Sequence, residues 1–282
     1  FFEEKVHQIR RVHPDPMQVK QAADKIKNSK QPIIISGGGV LYSGAEEELS
    51  NFAKKHNIPV TSTVMGIGCM TKDDPYYISA IGALGEGSSN NLSKDTDLAL
   101  AIGTKLADFT TASWANFENP DFKLVSVNTA RYDVTKHMAT GVITDAKVGL
   151  QQISEALGNW KANDNWYQRA VKEREKWDSY VEKESGPTNQ QEPSYAHAVG
   201  AVYRNADDSD IVVTAAGGLV GEVVQVWKSK QLNTWESEWG FSCMGYEIAG
   251  SLGIKMAKPD QDVVVFVGDG SYLLNNSDIY SS

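Results

Sequence analysis

The sequence predicts an α/β protein with a doubly wound, parallel sheet, and three observations support this fold class. Short apolar runs such as PIIIS (32–36) and DLALAIGT (97–104) recur along the chain and alternate with amphipathic segments of helical period. Glycine-rich turns follow several of these runs. Hydrophobic residues make up 41% and charged residues 22% of the chain, a composition that allows a globular core of normal size. Strands that alternate with helices form parallel sheets covered by helices on both faces.

The first region, residues 18–158, is predicted to be a Rossmann-like domain. It opens with a helix that has basic residues near its end, where the helix dipole favours cations. The alternation that follows gives, in this order, strand 32–36 with a glycine turn, helix 44–57, strand 58–64, a loop, the unassigned stretch 78–95, strand 97–104, loop 105–114, strand 123–129 and helix 145–157. Right-handed crossovers between such strands give the doubly wound arrangement.

The second region is predicted to be an incomplete α/β unit. Residues 159–192 read as a bridge, in which a charged helix with aromatic residues is followed by the exposed linker SGPTNQQEP. Residues 193–282 then contain helix 194–205, strand 210–218, helix 221–230, the stretch 235–257 and strand 262–270. So few parallel strands leave a long unpaired edge. We therefore expect residues 193–282 to be dynamic or paired with another copy.

The ends and the composition limit the possible functions. Residues 1–17 lack an initiator methionine and read as a charged connector, so we expect the chain to be part of a longer protein with an upstream domain. A net charge of −9 without a basic block argues against nucleic-acid partners. No apolar run is long enough for a membrane span, and no signal peptide is apparent. Cys69 and Cys243 are predicted to be small buried residues in a reducing cytoplasm.

Three glycine-containing turns could carry chemistry. GGG at 37–39 and GALGEGSS at 82–89 could cradle a phosphate, but neither has a nucleotide-binding pattern, and tight turns are favoured. GDGS at 268–271 differs, because ligands bind at the carboxyl ends of parallel strands. Asp269 could give one oxygen to Mg²⁺, while neighbouring backbone N–H groups bind a diphosphate. The alternative is an aspartate that caps the next helix.

Taken together, PIIISGGGVLYSGAEEELSNFAKKHNIPV, AAGG, GFSCMGYEIAGSLGIKMAKPD and VVVFVGDGS resemble the thiamine-diphosphate-dependent enzymes of the acetolactate synthase type. The similarity covers nearly the whole chain in the same order, as the middle domain followed by the first half of the diphosphate-binding domain. EWGFSCMGYEIAG, GDGSYL and DFTTASW are most similar to the trihydroxycyclohexane-1,2-dione hydrolase family of myo-inositol catabolism.

The resemblance implies roles for eight residues. Asp269 matches the first Mg²⁺ ligand of the family. The other matched positions face the cofactor: Gly268, Gly270 and Ser271 in the diphosphate turn, Gly217 and Gly218 in a second diphosphate loop, Ser242 through its carbonyl to the 4′-amino group, and Met244. Met244 would be the catalytic apolar wedge that bends the cofactor into a V shape, and its alternative role is core packing. The second metal ligand is not matched, because Asn275 and Asn276 lie too close to Asp269.

The implied activity is cleavage of a C–C bond in a cyclic, polyol-derived 1,2-diketone to give 5-deoxyglucuronate, with thiamine diphosphate and Mg²⁺. The implied setting is a cytoplasmic homo-oligomer, a dimer or a tetramer. An acetolactate-synthase-like or decarboxylating enzyme and a non-catalytic nucleotide-binding module are the alternatives. Acetolactate synthases also hold FAD in the middle domain, but this sequence gives no reason to carry FAD over. In this family a glutamate of the upstream domain activates the aminopyrimidine of the cofactor. Because this glutamate and the second metal ligand are unmatched, we expect the 282-residue chain alone to be inactive.

Overall fold

The computed structural model describes residue 8 and residues 10–280, which form two parallel sheets. The first sheet has the strand order β3-β2-β1-β4-β5-β6, and every neighbouring pair in it is parallel. Its strands are β1 (Pro32–Ser36), β2 (Val60–Ser62), β3 (Tyr77–Ala80), β4 (Leu98–Ile102), β5 (Lys123–Asn128) and β6 (Thr140–Ile143). The order reverses between β1 and β4, as in doubly wound Rossmann folds. The predicted fold class is confirmed.

Helices cover both faces of this sheet, so its central strands β1 and β4 are buried along their whole length. In β1, Ile34 packs into a core with residues of the first, third and seventh helices, while Ile33 and Ile35 pack into a core on the other face. The helices of this domain are α1 (Pro16–Lys27), α2 (Gly38–Tyr42), α3 (Glu46–His56), α4 (Gly87–Asp95), α5 (Asp108–Thr111), α6 (Arg131–Thr135) and α7 (Ala146–Leu157). None of the helices among the described residues has the length and apolar character to cross a bilayer.

The GGG turn packs against the end of β4. A Cβ added to Gly37 would lie 2.4 Å from the Gly103 carbonyl oxygen, and one on Gly39 would lie 2.6 Å from the Gly103 Cα. These glycines therefore allow two loops to approach closely. The expectation of a tight strand-to-helix turn is confirmed.

Part of the predicted connector is fixed to the first domain. Arg11 donates a hydrogen bond from Nη1 to Asp145 Oδ1 at 2.7 Å, and the Val12 carbonyl accepts from the Asp145 N–H at 3.0 Å. Asp145 also caps α7 by accepting from the Lys147 and Val148 N–H groups. Residues 1–7 and 9 of the predicted connector, and residues 281–282 of the predicted second unit, lie outside the described residues.

The second sheet has three parallel strands in the order β8-β7-β9. It follows α8 (Asp164–Glu184) and an exposed linker, and its elements are α9 (Tyr195–Asn205), β7 (Ile211–Thr214), α10 (Leu219–Val226), β8 (Trp235–Ser237), α11 (Tyr246–Ala257), β9 (Val263–Val265) and α12 (Asp269–Asn275). Val212 and Val264 pack with Val199 of α9 and Val223 of α10 in one core. All three strands run the same way, so their carboxyl ends meet at one edge of the sheet.

Polar contacts between loops join the two domains. Lys228, just after α10, forms an ion pair with Glu86 at the start of α4. The Lys72 N–H donates to the Ser229 carbonyl at 2.9 Å, and the Asn233 N–H donates to the Gly68 carbonyl at 3.1 Å. The loop after β2 therefore lies against the chain that leads into β8.

Four local expectations differ from the structure. The strands β6 and β8 were not predicted, and the loop at 105–114 contains the short helix α5. The apolar run of the last strand, β9, is typical of a buried strand, but its three residues are half-buried at an edge of the sheet. Cys243 was also expected to be buried and is exposed, whereas Cys69 is buried. The position of Cys243 in a surface loop explains this difference.

Candidate active site

Three loops meet at the carboxyl edge of the second sheet. Residues 215–218 follow β7, residues 238–245 follow β8, and residues 266–268 follow β9. Because β7 lies between β8 and β9, its loop is flanked by the other two. These loops and the first residues of α12 carry the eight residues to which the resemblance assigns a role. Open α/β sheets bind their ligands at such an edge.

Glycines leave open space between these loops. A Cβ added to Gly217, Gly218 or Gly268 would meet no atom within 4 Å, and Gly217 has a φ of +86°. In the part of the chain that the structure describes, the N–H groups of these three glycines donate to no other protein group. Clustered free N–H groups beside glycine bind anions well. The arrangement fits a diphosphate.

Asp269 is the first residue of α12 and is exposed. The residue at the N-cap is Gly268, and Asp269 follows it in the first turn of the helix. Asp269 Oδ1 accepts from the Gly270 N–H at 2.8 Å, while Oδ2 has no hydrogen-bond partner among the described residues. No group of three His, Cys, Asp or Glu residues that could hold a metal occurs in the described ranges. Asp269 thus offers one free carboxylate oxygen to a cation.

Met244 and Ser242 lie in the loop after β8. The Met244 side chain is 50% exposed, which excludes a fully packed core position. Its Cε would lie 3.0 Å from a Cβ at Gly270, so Met244 reaches from its own loop to the turn after β9. Ser242 has a φ of +53° and is exposed, and its carbonyl accepts no hydrogen bond from the described residues. Both groups are therefore available to a ligand.

Two glutamates that the sequence analysis did not single out brace this loop. Glu238 accepts from the Phe241 N–H at 2.9 Å and from the Cys243 N–H at 2.7 Å. These bonds, that of Cys243 first, hold the pKa of Glu238 below its usual value. Glu236 accepts from the Tyr246 hydroxyl at 3.2 Å, and burial raises the pKa of Glu236. The alternation in WESEWG, directly after a strand, is a sequence signal for both glutamates.

A third glutamate, Glu247, is fully buried at the start of α11. One carboxylate oxygen accepts from the Ala216 N–H at 3.3 Å, and the other accepts from the Gly245 N–H at 3.0 Å. Asn275 also contacts this loop, because its Nδ2 donates to the Gly245 carbonyl at 3.3 Å. Asn275 is thus occupied with the loop.

The first domain contributes an aromatic contact to the site. Phe109, in α5, packs edge-on against Trp239 with 5.5 Å between the ring centroids. Trp239 follows the two bracing glutamates, so the stretch DFTTASW lies beside the loop that carries Met244.

Two buried hydroxyl groups beneath the loops lack hydrogen-bond partners. Thr214 ends β7 and Ser237 ends β8, and the two residues are paired in register. Neither hydroxyl oxygen has a partner among the described residues. Since buried polar groups are normally satisfied, unpaired hydroxyls at this edge also point to a polar ligand or water there.

Comparisons with known proteins agree with this geometry. Residues 19–153 match the family described as "Thiamine pyrophosphate enzyme, central domain", and residues 215–281 match "Thiamine pyrophosphate enzyme, C-terminal TPP binding domain". The chain is 34% identical to a 3D-(3,5/4)-trihydroxycyclohexane-1,2-dione hydrolase of Geobacillus thermodenitrificans, over 100% of the chain and 47% of that protein. It is 35% identical to the protein of the same name from Clostridium tetani, over 100% of the chain and 48% of that protein.

The chain spans about half the length of the curated relatives it matches. The two matched domains correspond to the two sheets, and the second match contains the glycine-lined edge. The chain therefore belongs to the thiamine pyrophosphate enzyme family, with residues 19–153 in its central domain and residues 215–281 in its cofactor-binding domain.

Proposed function

We propose that this chain supplies the diphosphate- and magnesium-binding part of a hydrolase that cleaves a C–C bond in a cyclic 1,2-diketone. The proposed reaction converts trihydroxycyclohexane-1,2-dione to 5-deoxyglucuronate in myo-inositol catabolism. The names of the relatives support the substrate. We further propose that the enzyme is a cytoplasmic homo-oligomer.

The observation that carries the proposal is the open, glycine-lined edge beside Asp269. Gly217, Gly218 and Gly268 leave both space and free N–H groups, and one oxygen of Asp269 is unpaired among the described residues. Magnesium bound to a diphosphate typically uses one or two protein carboxylates, with phosphate and water oxygens as the other ligands.

Each residue then has a task that follows from its position. The free N–H groups of the glycines bind the diphosphate, and Asp269 binds the magnesium ion. The exposed carbonyl of Ser242 accepts a hydrogen bond from the cofactor, and Met244 presents an apolar surface. When bound, thiamine diphosphate supplies a nucleophilic carbon for attack on a carbonyl group.

The Asp269→Ala variant of the whole enzyme is expected to lose magnesium-dependent cofactor binding while both sheets stay folded. The reason is that the variant removes the carboxylate and leaves the diphosphate without its metal anchor. Asp260→Ala is the matched control, because Asp260 is an exposed carboxylate just before β9, the strand that leads to Asp269. Calorimetric titration with thiamine diphosphate and Mg²⁺ measures both variants. Normal activity of Asp269→Ala at low Mg²⁺ would contradict the metal assignment.

Met244→Ala is expected to slow turnover more than it weakens cofactor affinity. The substitution removes an apolar surface but no charge, so the diphosphate anchors remain. Steady-state kinetics with a cofactor titration separates the two effects. Unchanged turnover would contradict the wedge role of Met244.

The substrate is tested by assaying the whole enzyme with the cyclic diketone and, separately, with pyruvate. Ring opening without pyruvate turnover supports the hydrolase, whereas turnover of pyruvate alone supports an acetolactate-synthase-like or decarboxylating enzyme. Binding of a nucleotide without binding of thiamine diphosphate would support the nucleotide-binding module. That last outcome has little support in the structure, because the GGG turn is filled by its contact with Gly103.

A further inference from the structure

We propose that Glu247 is a positioning residue that ties the loop after β7 to the loop after β8 and so sets the spacing of the cofactor site. The inference rests on the proposed function for its consequence, but the tie itself is a property of this chain. Glu247 is 0% exposed, and its two oxygens bind the N–H groups of Ala216 and Gly245.

A local role as a helix cap does not account for this geometry. A glutamate in the first turn of a helix commonly bonds back to the N-cap N–H, and the Gly245 contact is of that kind. The Ala216 contact is different, because it crosses 31 residues of sequence to another loop. A surface cap would also leave the carboxylate in water, whereas this one is fully buried.

The burial of Glu247 has an energetic cost that only specific donors can offset. No lysine, arginine or histidine nitrogen lies within 4.0 Å of its carboxylate in the described part of the chain. A buried carboxylate without a cation depends on hydrogen bonds from N–H groups and on the positive end of a helix. Glu247 has both, because it lies in the first turn of α11 and accepts two N–H groups.

The tie acts on both sides of the proposed cofactor site. Ala216 directly precedes Gly217 and Gly218, whose N–H groups face the diphosphate in the proposed function. Gly245 directly follows Met244, the proposed wedge. A carboxylate has two acceptor oxygens and can serve both loops, whereas an amide offers one acceptor oxygen and turns a donor towards the other N–H. Glutamine at this position can therefore satisfy only one loop.

The first test measures amide hydrogen exchange by NMR in the whole enzyme without any ligand. In the wild type, we expect the Ala216 and Gly245 amides to be protected although neither lies within a helix or strand. In Glu247→Gln, at least one of them is expected to exchange about tenfold faster or more, as suits the loss of a hydrogen bond to a charged group. Glu222→Gln is the matched control, because Glu222 lies in the first turn of α10, in the same domain, and has no hydrogen-bond partner among the described residues.

Several outcomes would overturn the tie. An unprotected Ala216 amide in the wild type refutes it without any variant. Protection of Ala216 that is unchanged in both Glu247→Gln and Glu247→Ala reduces Glu247 to a cap of α11. If these variants fail to fold, Glu247→Asp keeps the charge but shortens the reach, and it must loosen Ala216 or Gly245 while the cores of both sheets stay protected.

The second test separates the tie from the proposed function. Thiamine diphosphate and Mg²⁺ are titrated into the whole enzyme and into its Glu247→Gln variant, and binding is expected to weaken about tenfold in the variant. If the wild type binds no thiamine diphosphate, the proposed function fails while the exchange result still decides the tie. If both proteins bind equally although the Ala216 amide has loosened, the tie exists but does not set the site, and the proposal is overturned.

Discussion

Lys228→Met is expected to destabilise the protein by about 3–5 kcal/mol, because it leaves the carboxylate of Glu86 buried without its cation. The Glu86 side chain is 3% exposed and that of Lys228 is 18% exposed. Glu86 also accepts from the Ala80 N–H at 3.3 Å, and this bond alone does not replace a cation. Methionine keeps most of the apolar stem of lysine, so the loss reports the charge. Urea unfolding at pH 7 measures the change in the free energy of unfolding.

Two controls separate the buried charge from other effects. Lys94→Met makes the same substitution in the exposed pair of Lys94 and Glu118, at 3.3 Å, where the expected loss is at most about 1 kcal/mol. The double variant Glu86→Gln with Lys228→Met removes both charges and should recover much of the loss. Equal losses of unfolding free energy in Lys228→Met and Lys94→Met would show that the buried pair contributes no more to stability than the exposed pair.

The defect of Lys228→Met is also expected to shrink as the pH falls. Burial raises the pKa of Glu86 in the wild type, against the opposing pull of Lys228. Without Lys228 the pKa of Glu86 in the folded protein rises further. The variant therefore loses stability as the pH increases above the pKa that Glu86 has in the unfolded chain. Near and below that pKa, Glu86 is neutral in both states and the penalty disappears. The difference in the free energy of unfolding between the wild type and Lys228→Met should be smaller near pH 5 than at pH 7. An equal difference at both pH values would contradict this prediction.

Gly103→Ala is expected to cost about 1–3 kcal/mol more than Gly44→Ala, because only the former clashes with backbone atoms. Both glycines have a positive φ, +62° and +55°. A Cβ at Gly103 would lie 2.7 Å from the Gly39 Cα and 2.9 Å from the Val40 nitrogen, whereas one at Gly44 would meet nothing within 4 Å. Gly44→Ala therefore reports the left-handed conformation alone, at about 1–2 kcal/mol.

Thermal and urea unfolding of both variants measure this difference. The clash involves the backbone of two loops, which cannot move aside as a flexible side chain could. A Gly103→Ala variant as stable as Gly44→Ala would show that the turn after β1 can shift without loss.

The central strands could be predicted from the sequence, whereas the edge strands β6 and β8 could not. In β1 and β4 all residues are buried between two layers of helices, so they appear as continuous apolar runs. The edge strand β6 reads TGVI and the edge strand β8 reads WES, which are too short and too polar for such a pattern. The half-buried state of β9 has the same origin, because its apolar run carries no information about its place in the sheet.

The glycines and Asp269 of the candidate site could be predicted because they are adjacent in sequence and follow strands. The role of Glu247 could not, because one of its partners is a backbone N–H group in a distant loop. The exposure of Cys243 likewise depends on the loop in which it lies, whose N–H groups Glu238 binds, and the composition of the chain does not predict it. Sequence patterns thus located the edge where the loops meet, while the contacts that hold the loops depend on the fold.

The linker between α8 and α9 contains the exposed residues 189–193 and is the covalent connection between α8 and the second sheet. The two sheets are nevertheless held together by the pair of Lys228 with Glu86 and by the loop contacts of Lys72 and Asn233, none of which involves the linker. A protease that nicks this stretch would therefore cut one chain into two pieces that remain associated as one particle. The nicked protein should run as two bands under denaturing conditions and elute as a single species under native ones.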